Sequence, residues 1–214
     1  MVIAIDGPGG VGKSTVARGV AAALEASYLN TGAYYRAATI AALDAGADPA
    51  DAAAVIAAVS AAHFAFIDEV MLLDGADVSE RSRSPEVTAA VSLVSAIPGV
   101  RSLMVGRQRE WVEEHGGHAV VEGRDIGTVV FPDADLKVFL TASAEARAER
   151  RAGDREAAGQ GVAEIAEALQ RRDHIDSTRE TSPLVAADDA VTIDTTSYTA
   201  DEVIALVLGM VHPA

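Results

Sequence analysis

Short apolar runs separated by longer stretches of helical periodicity organise this chain. Residues 2–6, VIAID, form a continuous apolar run closed by aspartate, which suits a strand buried on both faces of a parallel sheet. Residues 14–26, STVARGVAAALEA, follow with helix-forming composition and apolar spacing. Residues 27–29 predict a short second strand. Helices are predicted from there to about residue 45 and, past the Asp48-Pro49 break, over 50–62. The period then shortens: 64–67 and 71–73 read as strands, Asp74-Gly75 as a turn, and 77–79 lies beyond it, which predicts a small antiparallel insert. Ser84 at the N-cap and Pro85 at the first helical position open another helix. Ile97-Pro98-Gly99 breaks it, and a further helix is predicted to about His115. Strands resume at 119–122 and 136–141, Ser143 is predicted to cap an arginine-bearing helix, and a helix is predicted from 162 to about 175. A last strand at 190–194 precedes Thr199-x-x-Glu202, a capping box for the C-terminal helix. Five strands alternating with helices predict an α/β protein with a parallel sheet, whose ligands bind at the strand C-terminal ends.

Composition narrows the class. At 214 residues the chain is one large domain or a domain with an insert. Half of it is hydrophobic and only 4% aromatic, so the core is built from Ala, Val, Leu and Ile. Zero cysteines exclude a disulfide scaffold, a Cys-ligated zinc site and thiol catalysis. The chain starts directly on a core strand and no apolar run reaches the length of a membrane span, so a soluble cytoplasmic protein is expected; a monomer is expected as well. A net charge of −15 argues against nucleic acid or an anionic membrane as partner. Positive charge must then be local. Two lysines stand against fifteen arginines, a ratio that base-composition bias explains as well as a demand for guanidinium forks on phosphates.

The chemistry starts in the first loop. Residues 7–15, GPGGVGKST, match G-x-x-x-x-G-K-[ST] with Gly7, Gly12, Lys13 and Ser14 at the fixed positions. In such a loop Gly7, Gly9, Gly10, Val11 and Gly12 turn backbone N–H groups onto a polyphosphate, and Pro8, which has no N–H, is part of the same loop. Lys13 adds a point charge, and the Ser14 hydroxyl can ligate Mg²⁺, with Thr15 beside it. A strand before and a helix after set the loop apart from a glycine-rich surface turn.

Charged residues gather at the predicted ends of the other strands. Thr31-Gly32 at a helix start, with Arg36 one turn on, can hold a second anion. Glycines flanking Arg124-Asp125 allow a bend that presents both side chains. Arg147 and Arg151 share a helix face, and Arg172, Asp176 and Arg179 lie on the far side of a polar stretch, 153–161, predicted to be a mobile lid. Cations around a transferring phosphoryl group are what phosphoryl transfer requires. His174, Trp111 and the Tyr34-Tyr35 pair read as surface or packing residues, with Tyr34 a candidate for base contact.

These motifs resemble those of bacterial cytidylate kinases over essentially the whole chain. IDGPGGVGKST, NTGAYYR, DVSERSRSPEV, SLVSAIPGVR, EGRDIGTVVFPDA, RRDHIDSTR and SPLVAADDAVTIDTT carry the resemblance in that order. It implies a P-loop NTPase fold with a five-stranded parallel sheet. The implied core spans 1–30, 98–147 and 172–214, with a monophosphate-binding insert at 31–97 and a lid at about 148–171. It also implies transfer of a phosphoryl group from ATP–Mg²⁺ to CMP or dCMP. By the resemblance Arg36, Arg124 and Arg179 grip the acceptor phosphate, while Ser92, Arg101 and Asp125 read the cytosine edge. Arg172 and Asp176 hold the ribose, Thr31 lies near the pyrimidine nucleotide, and Arg147 and Arg151 lie near ATP. Lys13, Arg124, Arg147, Arg151 and Arg179 are the implied catalytic cations. Two positions depart from the pattern. Ser82 replaces a common apolar residue, and Glu122 stands where aspartate is frequent, which leaves its role toward magnesium open.

Other P-loop proteins fit less well. No Asp-x-Asp follows the second strand, as a shikimate kinase would want, and Thr-Gly-x-x-x-Arg favours a nucleotide acceptor. A GTP switch needs Asn-Lys-x-Asp and a transport ATPase Leu-Ser-Gly-Gly-Gln; the sequence has neither.

Overall fold

The computed structural model describes residues 1–153 and 161–211 of the 214. The expected lid at 153–161 lies outside the described residues apart from its two glycine ends. The chain divides into two compact units, one formed by Met1–Leu29 with Glu114–Ala214 and the other by Asn30–Glu113.

Along the chain, β1 (Val2–Asp6) leads through the glycine loop into α1 (Lys13–Ala23), and β2 (Ser27–Asn30) leads directly into α2 (Thr31–Asp44). Helix α3 (Ala52–Ala61), strands β3 (Phe64–Ile67), β4 (Val70–Leu73) and β5 (Ala76–Asp77), and helices α4 (Pro85–Ala96) and α5 (Pro98–Glu114) follow. The remainder is β6 (Ala119–Gly123), a π-turn at Ile126–Val130, β7 (Leu136–Thr141), α6 (Ala144–Ala152), α7 (Val162–Thr178), β8 (Val191–Asp194) and α8 (Ala200–Val211).

The first unit is built on a five-stranded sheet in the order β2-β6-β1-β7-β8, with β1 parallel to both β6 and β7 and β7 parallel to β8. Central placement explains why VIAID is apolar almost throughout: both faces of β1 are covered. Ile3, Ile5, Val138 and Leu140 pack with Val16 and Val20 of α1 and Val203 and Val207 of α8. Gly19 permits that closeness, because a Cβ there would lie 2.3 Å from Ile204 Cδ1. Helix α1 stops three residues short of the predicted end. Glu25 adopts a left-handed φ of 51°, and Ala26 N donates to Ala21 O at 2.9 Å, a Schellman-type closure. Helix α7 instead runs on to Thr178, past the predicted stop near 175, because Asp176 is buried in ion pairs.

The second unit contains the antiparallel sheet β3-β4-β5 expected from the change of period. Its turns, Asp68-Glu69 and Asp74-Gly75, have positive φ at all four positions, which suits tight hairpins. Ser84 Oγ accepts from Val87 N at 3.3 Å, so the predicted cap and the proline at N1 are both present in α4. Tyr34 is core: its ring centroid lies 6.3 Å from Phe66, whose ring meets Trp111 edge-on, and the Trp111 indole donates to Phe66 O at 2.9 Å. No single helix among the described residues is long and apolar enough to cross a membrane.

Candidate active site

The glycine loop takes its shape from positive φ at Gly7 (147°), Gly10 (80°) and Gly12 (92°). Two of these glycines also make room. A Cβ on Gly7 would lie 2.2 Å from Leu140 O of β7, and one on Gly10 would lie 2.9 Å from Arg147 O of α6. Gly12 precedes α1 and offers no side-chain cap, so the first N–H groups of α1 are left to a ligand. Asn30, which precedes α2, likewise gives no side-chain cap bond. The contrast is with Asp51, Ser84 and Ser143, each of which caps its helix.

Lys13 is buried, and its ammonium donates to Pro8 O at 2.6 Å across the loop. Burial, and next the Arg124 guanidinium, hold its pKa well below the ordinary lysine value; Arg172 adds to this and Glu122 opposes it. A cation destabilised in this way is primed for an anion. Around the loop, Arg147 of α6 donates to Gly9 O at 3.2 Å and closes an ion pair with Asp173 of α7, while Gly9 N reaches Asp173 Oδ1 at 3.4 Å. Asp173 carried no assignment in the sequence reading, yet it ties α6, α7 and the loop together.

Beside the loop is a cavity of 510 Å³ lined by Gly10, Val11, Gly12, Lys13, Ser14, Thr15 and Arg151, all expected, and by residues not expected in the site. These are Arg18, Arg150, Thr195, Tyr198 and Thr199. Arg150 Nη2 donates to Thr195 O at 2.6 Å and Nη1 to Thr195 Oγ1 at 2.9 Å, so α6 clamps the loop that follows β8. Thr195 Oγ1 lies 3.1 Å from Val11 O, which fixes that loop to the glycine loop. Only the i,i+3 spacing from Arg147 hinted at Arg150 in the sequence.

The end of β1 and the end of β6 carry buried carboxylates. Asp6 accepts from Ile126 N at 2.9 Å and from Gly127 N at 2.8 Å, closing the π-turn that follows Asp125. Burial raises the Asp6 pKa to about 6 against the lowering effect of those two bonds. Glu122 at the end of β6 accepts from the Tyr28 hydroxyl of β2 at 2.5 Å. Burial, then the Glu122 charge, push the Tyr28 pKa upward. Asp125 is buried at the start of the π-turn. Arg124 Nε donates to Asp176 Oδ2 at 3.0 Å, and Arg179 Nη1 lies 3.6 Å from the other oxygen of that carboxylate. Arg124, Asp176 and Arg179 are thus brought together, and Arg124 and Arg172 both lie near enough to Lys13 to shift its titration.

In the second unit, Thr31 is the buried first residue of α2. Arg36 bonds to Ser82 O and reaches Thr88 Oγ1 at 3.2 Å. Ser82, the departure noted above, is accommodated because its hydroxyl donates to Ser79 O at 2.8 Å. Ser92 is half-buried on α4. Arg101 is buried, donates to Ser95 O at 3.1 Å and lies over the Tyr35 ring at 5.2 Å. Tyr35, expected only to pack, therefore also contacts a candidate site residue. The second lysine, Lys137, is engaged by Asp189 through both carboxylate oxygens at 2.8 Å.

The first unit gathers positive charge and uncapped helix N–H groups at its glycine loop, as a P-loop phosphotransferase requires. Solved structures agree on the fold alone. One, of an uncharacterized protein from Eubacterium ventriosum, superposes with a TM-score of 0.52 at 12% identity, covering 100% of this chain and 99% of that one. A sugar kinase from a Janibacter species gives 0.51 at 14% identity, over 100% and 95% of the two chains. Sequence comparison goes further: the chain belongs to the cytidylate kinase family, whose model, described as cytidylate kinase, matches residues 3–213. Cytidylate kinase of Rhodococcus jostii is 51% identical over 99% of this chain and 94% of its own. That of Mycobacterium avium is 54% identical over 95% and 92%, and that of Mycobacterium leprae 51% over 99% and 95%. By family the protein is a kinase, a phosphotransferase.

Proposed function

We propose that the protein transfers the γ-phosphoryl group of ATP to CMP and dCMP, releasing ADP with CDP or dCDP. The observation that carries this reading is the match of the cytidylate kinase model over residues 3–213, on a chain whose glycine loop opens into an uncapped helix. A phosphate oxygen of the acceptor attacks the γ-phosphorus in line, the bond to the β,γ-bridging oxygen breaks, and ADP leaves with that electron pair. No covalent bond to the protein is needed. Gly7 to Thr15 hold the donor phosphates, and Lys13 neutralises charge building between the β and γ groups. Arg147 and Arg151 stabilise the donor side. Arg36, Arg124 and Arg179 hold the acceptor phosphate, Ser92, Arg101 and Asp125 read the base, Arg172 and Asp176 hold the ribose, and Thr31 lies beside the pyrimidine nucleotide. The division into a core, 1–30 with 98–147 and 172–214, and a monophosphate-binding insert, 31–97, belongs to the same proposal.

A divalent cation fits the residues present. No group of three or more metal-binding side chains occurs among the described residues, so the cation arrives with the nucleotide, as Mg²⁺ does at phosphate sites. Ser14 would ligate it, with Glu122 nearby, and the cation supplies charge neutralisation on the phosphate oxygens. We place the protein in the cytoplasm as a monomer, without nucleic-acid or membrane partners. An ADP-release assay with ATP and each of CMP, dCMP, UMP and AMP tests the reading. Turnover is expected on CMP and dCMP well above UMP and AMP; preference for AMP or no turnover with any monophosphate overturns it.

A further inference from the structure

Two donors converge on the Asp173 carboxylate of α7. Oδ1 accepts from Gly9 N at 3.4 Å, and Oδ2 is ion-paired with Arg147 Nη1 of α6. The same arginine nitrogen donates to Gly9 O at 3.2 Å, so one acid–base pair holds both backbone groups of Gly9. The Arg147 and Asp173 side chains are only 12% and 19% exposed, and solvent screens the pair little. Both groups facing Asp173 are donors, and each takes a separate oxygen. An amide at this position would offer one oxygen and set its NH₂ against the other donor, so the arrangement requires a carboxylate.

The pairing also divides the guanidinium. Nη1 is engaged by Gly9 O and Asp173, whereas Arg147 Nε is buried and has no acceptor among the described residues. A buried N–H left unpaired is costly, and the Nε–Nη2 edge of a guanidinium grips two phosphate oxygens side-on. Asp173 thus holds Arg147 by the nitrogen which that grip does not use. Location indicates the phosphate concerned. The 510 Å³ cavity begins at Gly10, and neither Gly9 nor Arg147 lines it. Arg124, proposed above to hold the acceptor phosphate, instead brings Nη2 to 3.8 Å from the Cβ position of Gly9. Arg147 and Arg124 meet at Gly9, between the donor loop and the acceptor cation, where a phosphoryl group in transit carries charge on its equatorial oxygens.

We infer that Asp173 is a positioning residue for phosphoryl transfer: it anchors Arg147 Nη1 on Gly9 and leaves the Nε–Nη2 edge to the transferring group. The inference rests on the phosphotransferase reading above. Asp173→Asn in the full-length protein is expected to lower kcat about tenfold, as a small misplacement of a catalytic group does. ADP affinity by calorimetry and KM for ATP are expected to stay within about twofold, because ADP lacks the transferring group. Arg147→Met is expected to lower kcat about a hundredfold. Adding Asp173→Asn to Arg147→Met is expected to change kcat by less than about twofold, since no guanidinium is left to position.

A further tenfold loss in the Arg147→Met background would make Asp173 a support of the loop rather than of Arg147, and overturns the inference. So does ADP binding weakened as much as kcat. A kcat at or above wild type in Asp173→Asn, the sign of a carboxylate that competes with phosphate for Arg147, overturns it too. If urea denaturation shows that Asp173→Asn is unfolded, Asp173→Glu decides, because it keeps the charge and adds one methylene. Its kcat is expected to fall at least about threefold at unchanged ADP affinity, and a wild-type kcat overturns the inference. Wild-type protein that turns over ATP with no monophosphate overturns this inference together with the reading it rests on. Wild-type turnover that survives Arg147→Met undiminished overturns this inference alone.

Discussion

Gly7 and Lys13 belong to one motif but answer to different physics. At Gly7 a side chain is excluded by φ of 147° and by Leu140 O, 2.2 Å from where its Cβ would be. Gly7→Ala should therefore cost stability, about 1–3 kcal/mol as for other overpacked sites, with a matching fall in urea midpoint. Lys13 is a desolvated cation whose pKa burial has already lowered. Lys13→Ala should leave the midpoint unchanged or raise it, while kcat falls at least about a hundredfold through loss of transition-state charge stabilisation. Activity within threefold of wild type would refute the loop's role. Asp176 is less simple than its helix spacing suggested, since it accepts from Arg124 at 3.0 Å and faces Arg179 at 3.6 Å. Asp176→Ala should release both arginines and lower kcat/KM on CMP and dCMP alike. If the carboxylate also accepts from the 2′-hydroxyl, CMP loses about a further tenfold, the value of a hydrogen bond to a charged acceptor. Measuring the CMP-to-dCMP ratio decides this: an unchanged ratio leaves Asp176 as an orienting residue only.

Elements whose cause is local were legible in the sequence. The caps Ser84, Ser143 and Thr199 each satisfy N–H groups within three residues, and all three hold in the structure. Helix α6, which carries Arg147, Arg150 and Arg151, depends on one of them: Ser143 Oγ accepts from Ala146 N at 3.2 Å. Ser143→Ala should cost about 1 kcal/mol, and so a Tm lower by roughly 2–4 °C. A change below half a degree would mean that tertiary contacts alone hold the turn. Elements closed from far away were not legible. The π-turn at Ile126–Val130 is pinned by Asp6, some 120 residues earlier, and no local pattern announces it. The Asp68-Glu69 turn holds positive φ without a glycine, and the loop after β8 becomes part of the cavity beside the glycine loop through Arg150 and the Thr195–Val11 bond, both distant in sequence. Asp6 also gives the π-turn a pH signature. Its folded pKa of about 6 lies above the ordinary value of 3.8, so the native state holds the proton more tightly than the unfolded chain. Its contribution is therefore full below about pH 4 and is lost as pH rises through about 6, on the order of 3 kcal/mol in all. Asp6→Asn should flatten stability against pH between 4 and 6, as read by urea midpoints. An Asn variant with the slope of the wild type would assign that slope to other groups.

For the whole molecule, the puzzle is a chain of net charge −15 that must bind two anions. The resolution is one of distance. Arg124 and Arg172 both act on Lys13 at close range, and Arg147, Arg150 and Arg151 share one short helix beside the glycine loop. Many of the 32 acidic residues instead lie in exposed positions, where their fields reach a nucleotide only through solvent. At 0.1 M salt the screening length is about 10 Å, so added salt suppresses distant repulsion more than contacts within a partly buried site. The two changes oppose each other in kcat/KM: weaker long-range repulsion speeds encounter, and slightly weaker local attraction slows it. Between about 20 and 200 mM KCl at fixed free Mg²⁺, kcat/KM for CMP should change by no more than about twofold. A protein that captures anions with a broad basic face loses orders of magnitude over a similar range. Stopped-flow or steady-state rates across that series decide between the two. A fall of tenfold or more would show that the arginines steer substrate from a distance, and that the acidic surface is too remote or too dispersed to oppose them.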